Sequence, residues 1–258
     1  MSDLPGAENS QPPAAPPSAG QLISVRLPAD KTRVATVLLG VTVAVYALQF
    51  LSDLLFQVDI PAALGMKTNT GIQAGQLWRL FTPMLLHGSI LHIGFNMYAL
   101  KAIGPGLERY YGKWRFLALY VLAGFTGNVA SFLLTQKNSL GASTAIFGLV
   151  AAEGIFIYRN RMLFGKNAKS MLANILGVVA INLVLGLSPG IDNWGHLGGL
   201  LGGAAFAWLA GPVYRVVPVP LAADFQLQDQ VPSERTWQVA GGVGALFAIG
   251  ALVKILLS

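Results

Sequence analysis

Seven stretches of this chain are almost continuously apolar, and polar residues collect between them rather than alternating with them. A helix needs about 20 mostly apolar residues to cross a bilayer. The pattern therefore predicts seven spanning helices. The first runs from Val34 to about Leu51, extending to Phe56 past Asp53, and the second lies within the uncharged stretch Leu80–Leu100. The third is Phe116–Leu134, and the fourth is Ser139 to about Tyr158, with one acid, Glu153. The fifth is Ser170–Leu187, the sixth Trp194–Tyr214 and the seventh Thr236–Leu257.

The flanking segments read differently. Residues 1–30 open with Pro5, Pro12, Pro13, Pro16 and Pro17 among Ala, Ser and Gly, a composition expected to stay disordered. This stretch lacks the basic start and apolar run of a signal peptide. Residues 213–235 are expected to be a polar, proline-containing linker, leaving 236–258 for the last helix.

Composition strengthens the membrane reading. Charged residues make up 11% of the chain and hydrophobic ones 54%, against about 25% charged in a soluble domain. A net charge of +6 would suggest nucleic acid in a soluble protein, but here the basic residues sit between apolar stretches. No nucleic-acid partner is expected, and the lipid bilayer is the surrounding medium. With the N-terminus cytoplasmic, 13 of the 17 basic residues fall on the cytoplasmic side, leaving only Lys67, Arg79, Lys137 and Lys254 outside. The absence of cysteine excludes disulfides, Cys-based metal sites and thiol chemistry.

That topology puts all three histidines in one layer: His87, His92 and His196 share the outer membrane half with Asn96 and Ser143. Polar residues at membrane depth are rare and usually functional. Ser143, in Gly141-Ala142-Ser143-Thr144, needs a base in hydrogen-bond reach to act as a nucleophile; otherwise a serine there serves helix packing. His196 is the candidate base. Gly199 and Gly203 follow it on one helix face and permit close approach of another helix, while the alternative is a satisfied buried histidine in a tight helix pair. His92 and Asn96 share a helix face at i, i+4, and both can donate hydrogen bonds to a developing oxyanion, as can the backbone N–H of Ser143. Three histidines with Asp192 as the one nearby acid are also a conceivable zinc set, but a poor one, since Ser and Asn are weak zinc ligands. No metal or cofactor is expected. Phe147, at i+4 from Ser143, either stacks under the imidazole or packs as an ordinary core residue. Asp192 reads as a turn residue rather than a third catalytic member.

Taken together, His92-x-x-x-Asn96, Gly141-x-Ser143 and His196-x-x-Gly199-x-x-x-Gly203, in order on three spans, resemble the rhomboid proteases. Trp78-Arg79, between the first and second spans, resembles that family's Trp-Arg loop motif, and Glu108-Arg109, after the second span, also fits the family's pattern. The resemblance implies an all-α membrane protein: a six-helix bundle over residues 31–212 with a short, central fourth helix, plus one extra C-terminal helix. It further implies a Ser143–His196 dyad without an acid, and an oxyanion hole of His92, Asn96 and the Ser143 N–H. Phe147 would lie beneath the histidine, with Gly141, Gly199, Trp78 and Arg79 in supporting roles. The implied activity is cleavage of single-pass transmembrane proteins at a multi-pass enzyme, expected in a bacterial plasma membrane with its site open to the outside. A catalytically inactive relative that binds and escorts transmembrane helices is the alternative. Thr144 departs from the family's usual second glycine, and Gly195 replaces a common alanine; a threonine is tolerable if residue 144 is already helical.

Overall fold

The computed structural model describes residues 25–26, 33–219 and 225–257; the tail expected at residues 1–30 lies outside them except for Val25 and Arg26. The described chain is mostly helical. It runs β1 (Val25–Arg26), α1 (Val34–Phe56), α2 (Ile60–Gly65), α3 (Asn69–Gln73), 3-10 turns at Leu77–Leu80 and Thr82–Leu85, then α4 (Ile90–Tyr111) and α5 (Lys113–Leu134). There follow α6 (Ser143–Arg159), α7 (Arg161–Phe164), a short 3-10 turn, α8 (Ala168–Leu185), α9 (Asn193–Ala210), β2 (Tyr214–Pro218), β3 (Phe225–Asp229) and α10 (Glu234–Leu256). By length and composition, α1, α5, the stretch Arg161–Leu185 and α10 can each cross a membrane.

Burial sorts these helices. In α5, 78% of the apolar window is buried, against 17% in α1 and 11% in α10. Apolar side chains on the outer helices, such as Leu176, Ile181 and Leu246, remain more than 60% exposed. In water that exposure would be unfavourable by about 25 cal/mol per Å²; in lipid it carries no penalty, because the acyl chains are as apolar as the side chains they meet.

The centre is built by α5, α6 and α9, and glycine makes their close approach possible. A methyl group at Gly199 of α9 would collide with the carbonyl of Thr144 on α6, and one at Gly203 would meet the backbone of Gly148. On the other side, Gly198 and Gly202 of α9 pack against Gly127 and Thr126 of α5, and Thr126 Oγ1 donates to the Gly198 carbonyl at 3.0 Å. The α9 glycines therefore serve two neighbours, one on each face. The α1 end of the bundle is held by Glu108 in the last turn of α4. Its carboxylate accepts from the backbone N–H groups of Arg33, Val34 and Ala35 at 2.8–2.9 Å. Those are donors that a helix start leaves without an internal partner.

Two segments differ from the sequence reading. The second apolar stretch is helical only from Ile90, because Pro83 and Gly88 interrupt residues 80–89 and Ser89 caps the helix by accepting from the His92 N–H. The helix then continues beyond Leu100 through Pro105 to Tyr111. Within the stretch read as a linker, β2 and β3 pair antiparallel, Tyr214 opposite Asp229, and β1 adds parallel to β3. The alternation Phe225-Gln226-Leu227-Gln228 suits a strand with one packed face. Arg115, at the start of α5, ties the hairpin down through Asp229 at 2.6 Å, the Val231 carbonyl and Thr236 Oγ1.

Candidate active site

The site gathers where α4, α6 and α9 begin. Two of these helices carry side-chain caps: Ser89 on α4, and Asp192 on α9, whose Oδ1 accepts from the Gly195 N–H at 3.0 Å. The third does not. Ala142 precedes α6 and offers no capping side chain, so the first N–H groups of α6 face the site without a side-chain acceptor. Such a terminus favours negative charge.

Ser143 is the first residue of α6. Its Oγ lies 2.9 Å from Nε2 of His196, a contact that links residues 53 positions apart in sequence. The serine donates to the imidazole when Nδ1 carries the ring proton. Nδ1 is buried with no hydrogen-bond partner among the described residues. Asp192 makes no hydrogen bond to it: Oδ1 of that carboxylate caps α9, and Oδ2 has no partner among the described residues. The ring is held instead by stacking: Phe147 lies parallel to it, centroids 4.3 Å apart and planes 11° from each other. Gly199 completes the arrangement by admitting α6 against α9 one turn below.

His92 stands on the other side of the serine. An ideal Cβ built on Gly141 would lie 2.7 Å from His92 Nε2 and 3.6 Å from Ser143 Oγ. Gly141 also has φ +136°, a conformation side chains rarely adopt. This glycine thus keeps the space between His92 and Ser143 open. Asn96, one turn below His92, is buried and donates one amide hydrogen to the His92 carbonyl at 2.9 Å; its amide has a second hydrogen to offer.

His87, noted only as part of the polar layer, has a defined place. It is 1% exposed, accepts from the Ala142 N–H at 3.4 Å and meets His92 edge-on with centroids 5.0 Å apart. Gln49 of α1 brackets its backbone with two hydrogen bonds. Gln49 was not singled out by sequence; a lone amide in an apolar helix was the available signal. Among the described residues, no three His, Cys, Asp or Glu side chains converge as metal ligands.

Trp78 and Arg79 are not in the Ser–His contact. Arg79 donates to the carbonyls of Ala63 and Met66 and to Gln76, and Trp78 Nε1 donates to the Leu64 carbonyl. They fold the loop between α1 and α4 upon itself. Thr144 is helical, and its side chain points between α5 and α9. Built Cβ atoms on Gly127 and Gly195 would lie 2.6 Å from its Cβ and 3.1 Å from its Cγ2. Glycine at 195 thus leaves the volume that threonine at 144 occupies.

The fold and this site define an α-helical membrane protein with a part-buried serine–histidine pair between helix starts. A family model for the Rhomboid domain matches residues 74–213, and the chain belongs to the rhomboid family. It is 44% identical over 142 residues to rhomboid protease GluP of Bacillus subtilis (strain 168), covering 55% of this chain and 27% of that protein. RHOMBOID-like protein 6, mitochondrial, of Arabidopsis thaliana is 37% identical over 139 residues, 54% of this chain and 45% of its own. RHOMBOID-like protein 2 of the same plant is 38% identical over 142 residues, 54% and 44% respectively. The chain thus spans less than half the length of each of these relatives.

Proposed function

We propose that this protein is an active intramembrane serine endopeptidase, with Ser143 as nucleophile and His196 as its general base. The observation that carries the reading is the 2.9 Å contact between Ser143 Oγ and His196 Nε2. Rhomboid membership supports intramembrane protease activity at the level of the family, and both members of the reactive pair are present here.

In the proposed reaction His196 takes the Ser143 proton as Oγ bonds to the scissile carbonyl carbon. The resulting oxyanion is met by the Ser143 N–H at the uncapped start of α6, by His92 and by the free hydrogen of Asn96. The C–N bond then breaks, with His196 delivering its proton to the leaving amine. Water hydrolyses the acyl-enzyme by the same route, ending with a free carboxyl and Ser143 restored. Phe147 keeps the imidazole plane aimed at Oγ throughout. Substrates on this reading are single-pass transmembrane proteins whose helix unwinds locally, since a helical carbonyl is masked by its own hydrogen bond.

The same proposal covers the setting. Six helices (α1, α4, α5, α6, α8 and α9) form the spanning core and α10 is a seventh span. The N-terminus is cytoplasmic and the site opens outward in a bacterial plasma membrane. The distribution of basic residues between helices supports this orientation.

A fluorophosphonate probe separates this reading from an inactive helix-binding relative. Wild type is expected to be labelled at Ser143, and His196→Ala to be unlabelled; an unreactive wild type that is folded would end the proposal. Asn96→Ala is expected to slow cleavage of a transmembrane reporter roughly 10²-fold or more through loss of an oxyanion donor, with KM little changed. A wild-type kcat in Asn96→Ala would remove that residue from the oxyanion site.

A further inference from the structure

The loop from Thr135 to Ala142 delivers the nucleophile, since α6 starts at Ser143 directly after it. It is held almost entirely by the segment between α1 and α4. Gly141 N–H donates to the Pro83 carbonyl at 2.9 Å, and Ala142 N–H to His87. Asn69 donates to the Phe132 and Thr135 carbonyls and to Gln136. The most unusual member of the set is Lys67. It is 0% exposed, although lysine is almost never fully buried without partners.

Lys67 grips the loop twice. Its backbone exchanges two hydrogen bonds with Ser139, at 2.9 and 3.1 Å, as an isolated antiparallel bridge. Its ammonium donates to the carbonyls of Thr135 and Lys137 at 3.3 and 2.9 Å. Thr135 is the C-cap of α5, where partial negative charge favours a cation, and Lys137 belongs to the loop that follows. Lys254 of α10 serves the same end, donating to the Phe132 and Leu133 carbonyls. Burial lowers the Lys67 pKa to about 8, with Asp192 drawing it upward and Lys254 pushing it down, so the ammonium remains mostly charged at neutral pH.

We infer that Lys67 is a positioning residue for the nucleophile: its ammonium and its backbone bridge to Ser139 fix the loop that sets Gly141 and Ser143 against His92 and His196. The inference rests on the serine-protease reading for its catalytic consequence, though not for the loop contact itself. Lys67 touches neither reacting atom. It acts through the placement of Ser143 Oγ, where a shift of about 1 Å can lower a rate roughly 10²-fold.

The test compares wild type, Lys67→Met and Ser139→Pro in detergent. Methionine keeps the length of the side chain and removes its donors. Proline removes the Ser139 N–H while leaving the buried lysine intact. Three quantities are read: reporter cleavage, the rate of probe labelling at Ser143, and amide exchange across residues 135–142. Both variants are expected to lose about 10- to 100-fold in kcat and in labelling rate with KM within about threefold of wild type. Exchange in the loop should rise at least about tenfold while that of α9 is unchanged. Folded variants that label and cleave at the wild-type rate would overturn the inference and leave the protease reading standing. If Lys67→Met does not fold, Ser139→Pro decides alone. If wild type itself neither labels nor cleaves, the protease reading falls, and the exchange data still report whether Lys67 holds the loop.

Discussion

Replacing Ser143 by alanine is expected to abolish cleavage of a transmembrane reporter, lowering kcat by about 10⁴-fold or more while leaving substrate binding and thermal stability near wild type. The physical reason is that the remaining site has no group to form the acyl-enzyme. The His196 imidazole would lose its one hydrogen-bond partner among the described residues, since Nε2 bonds Ser143 Oγ and Nδ1 meets no acceptor. In serine hydrolases, removal of one member of such a unit costs about as much as removing all of it. Water left in the site would still meet the oxyanion donors, which sets a small residual rate rather than none. The stability expectation follows from size: one hydroxyl is deleted from a half-buried position at a helix start, and the hydrogen bond it made contributes about 1 kcal/mol net. Measured as kcat with purified protein in detergent, a Ser143→Ala rate within about tenfold of wild type would remove the nucleophile from this proposal.

The second large effect is expected at Gly199, which does no chemistry. A methyl group there would run into the carbonyl of Thr144. Backbone cannot turn aside as a side chain can, so α6 and α9 must separate or one of them must bend. Ser143 sits on α6 and His196 on α9, and the added methyl therefore acts on the Oγ–Nε2 distance directly. Gly199→Ala is expected to lower stability by about 1–3 kcal/mol through overpacking, offset in part by the better helix propensity of alanine, roughly 1 kcal/mol. Cleavage is expected to fall about 10²-fold with misplacement of the pair by about 1 Å. Gly242→Ala on α10 is the control: nothing lies within 4 Å of a methyl built there, and propensity alone should make that variant neutral or slightly more stable. Thermal unfolding and kcat measured on both variants would decide the matter. Equal behaviour of the two would mean that the α6–α9 contact is looser than its geometry implies.

Thr144 illustrates how a departure from a family pattern is absorbed. From sequence it stands as a β-branched residue beside the nucleophile. In the fold it is a helical residue turned away from Ser143, into a space that Gly127 and Gly195 leave open. Two substitutions that looked separate, threonine at 144 and glycine at 195, thus meet in one volume.

Four runs of apolar residues, at α1, α5, Arg161–Leu185 and α10, are long and apolar enough to specify helices without help from tertiary contacts, because such a segment has no other stable form in lipid. The polar residues left inside the apolar stretches, Ser143, His196, His92 and Asn96, are the ones a sequence reading singles out as candidates, since polar side chains are rare at membrane depth. The start of α4 at Ile90, the β2–β3 hairpin and the engagement of Asp192 as a cap are decided by competing local hydrogen bonds that hydropathy does not register. The approach of Ser143 to His196 across 53 residues, and the burial of Lys67 against the end of α5, depend on which helix faces meet. That choice belongs to the packing of α5, α6 and α9 as a set, where the absence of side chains at Gly148, Gly199 and Gly203 sets how close the backbones come.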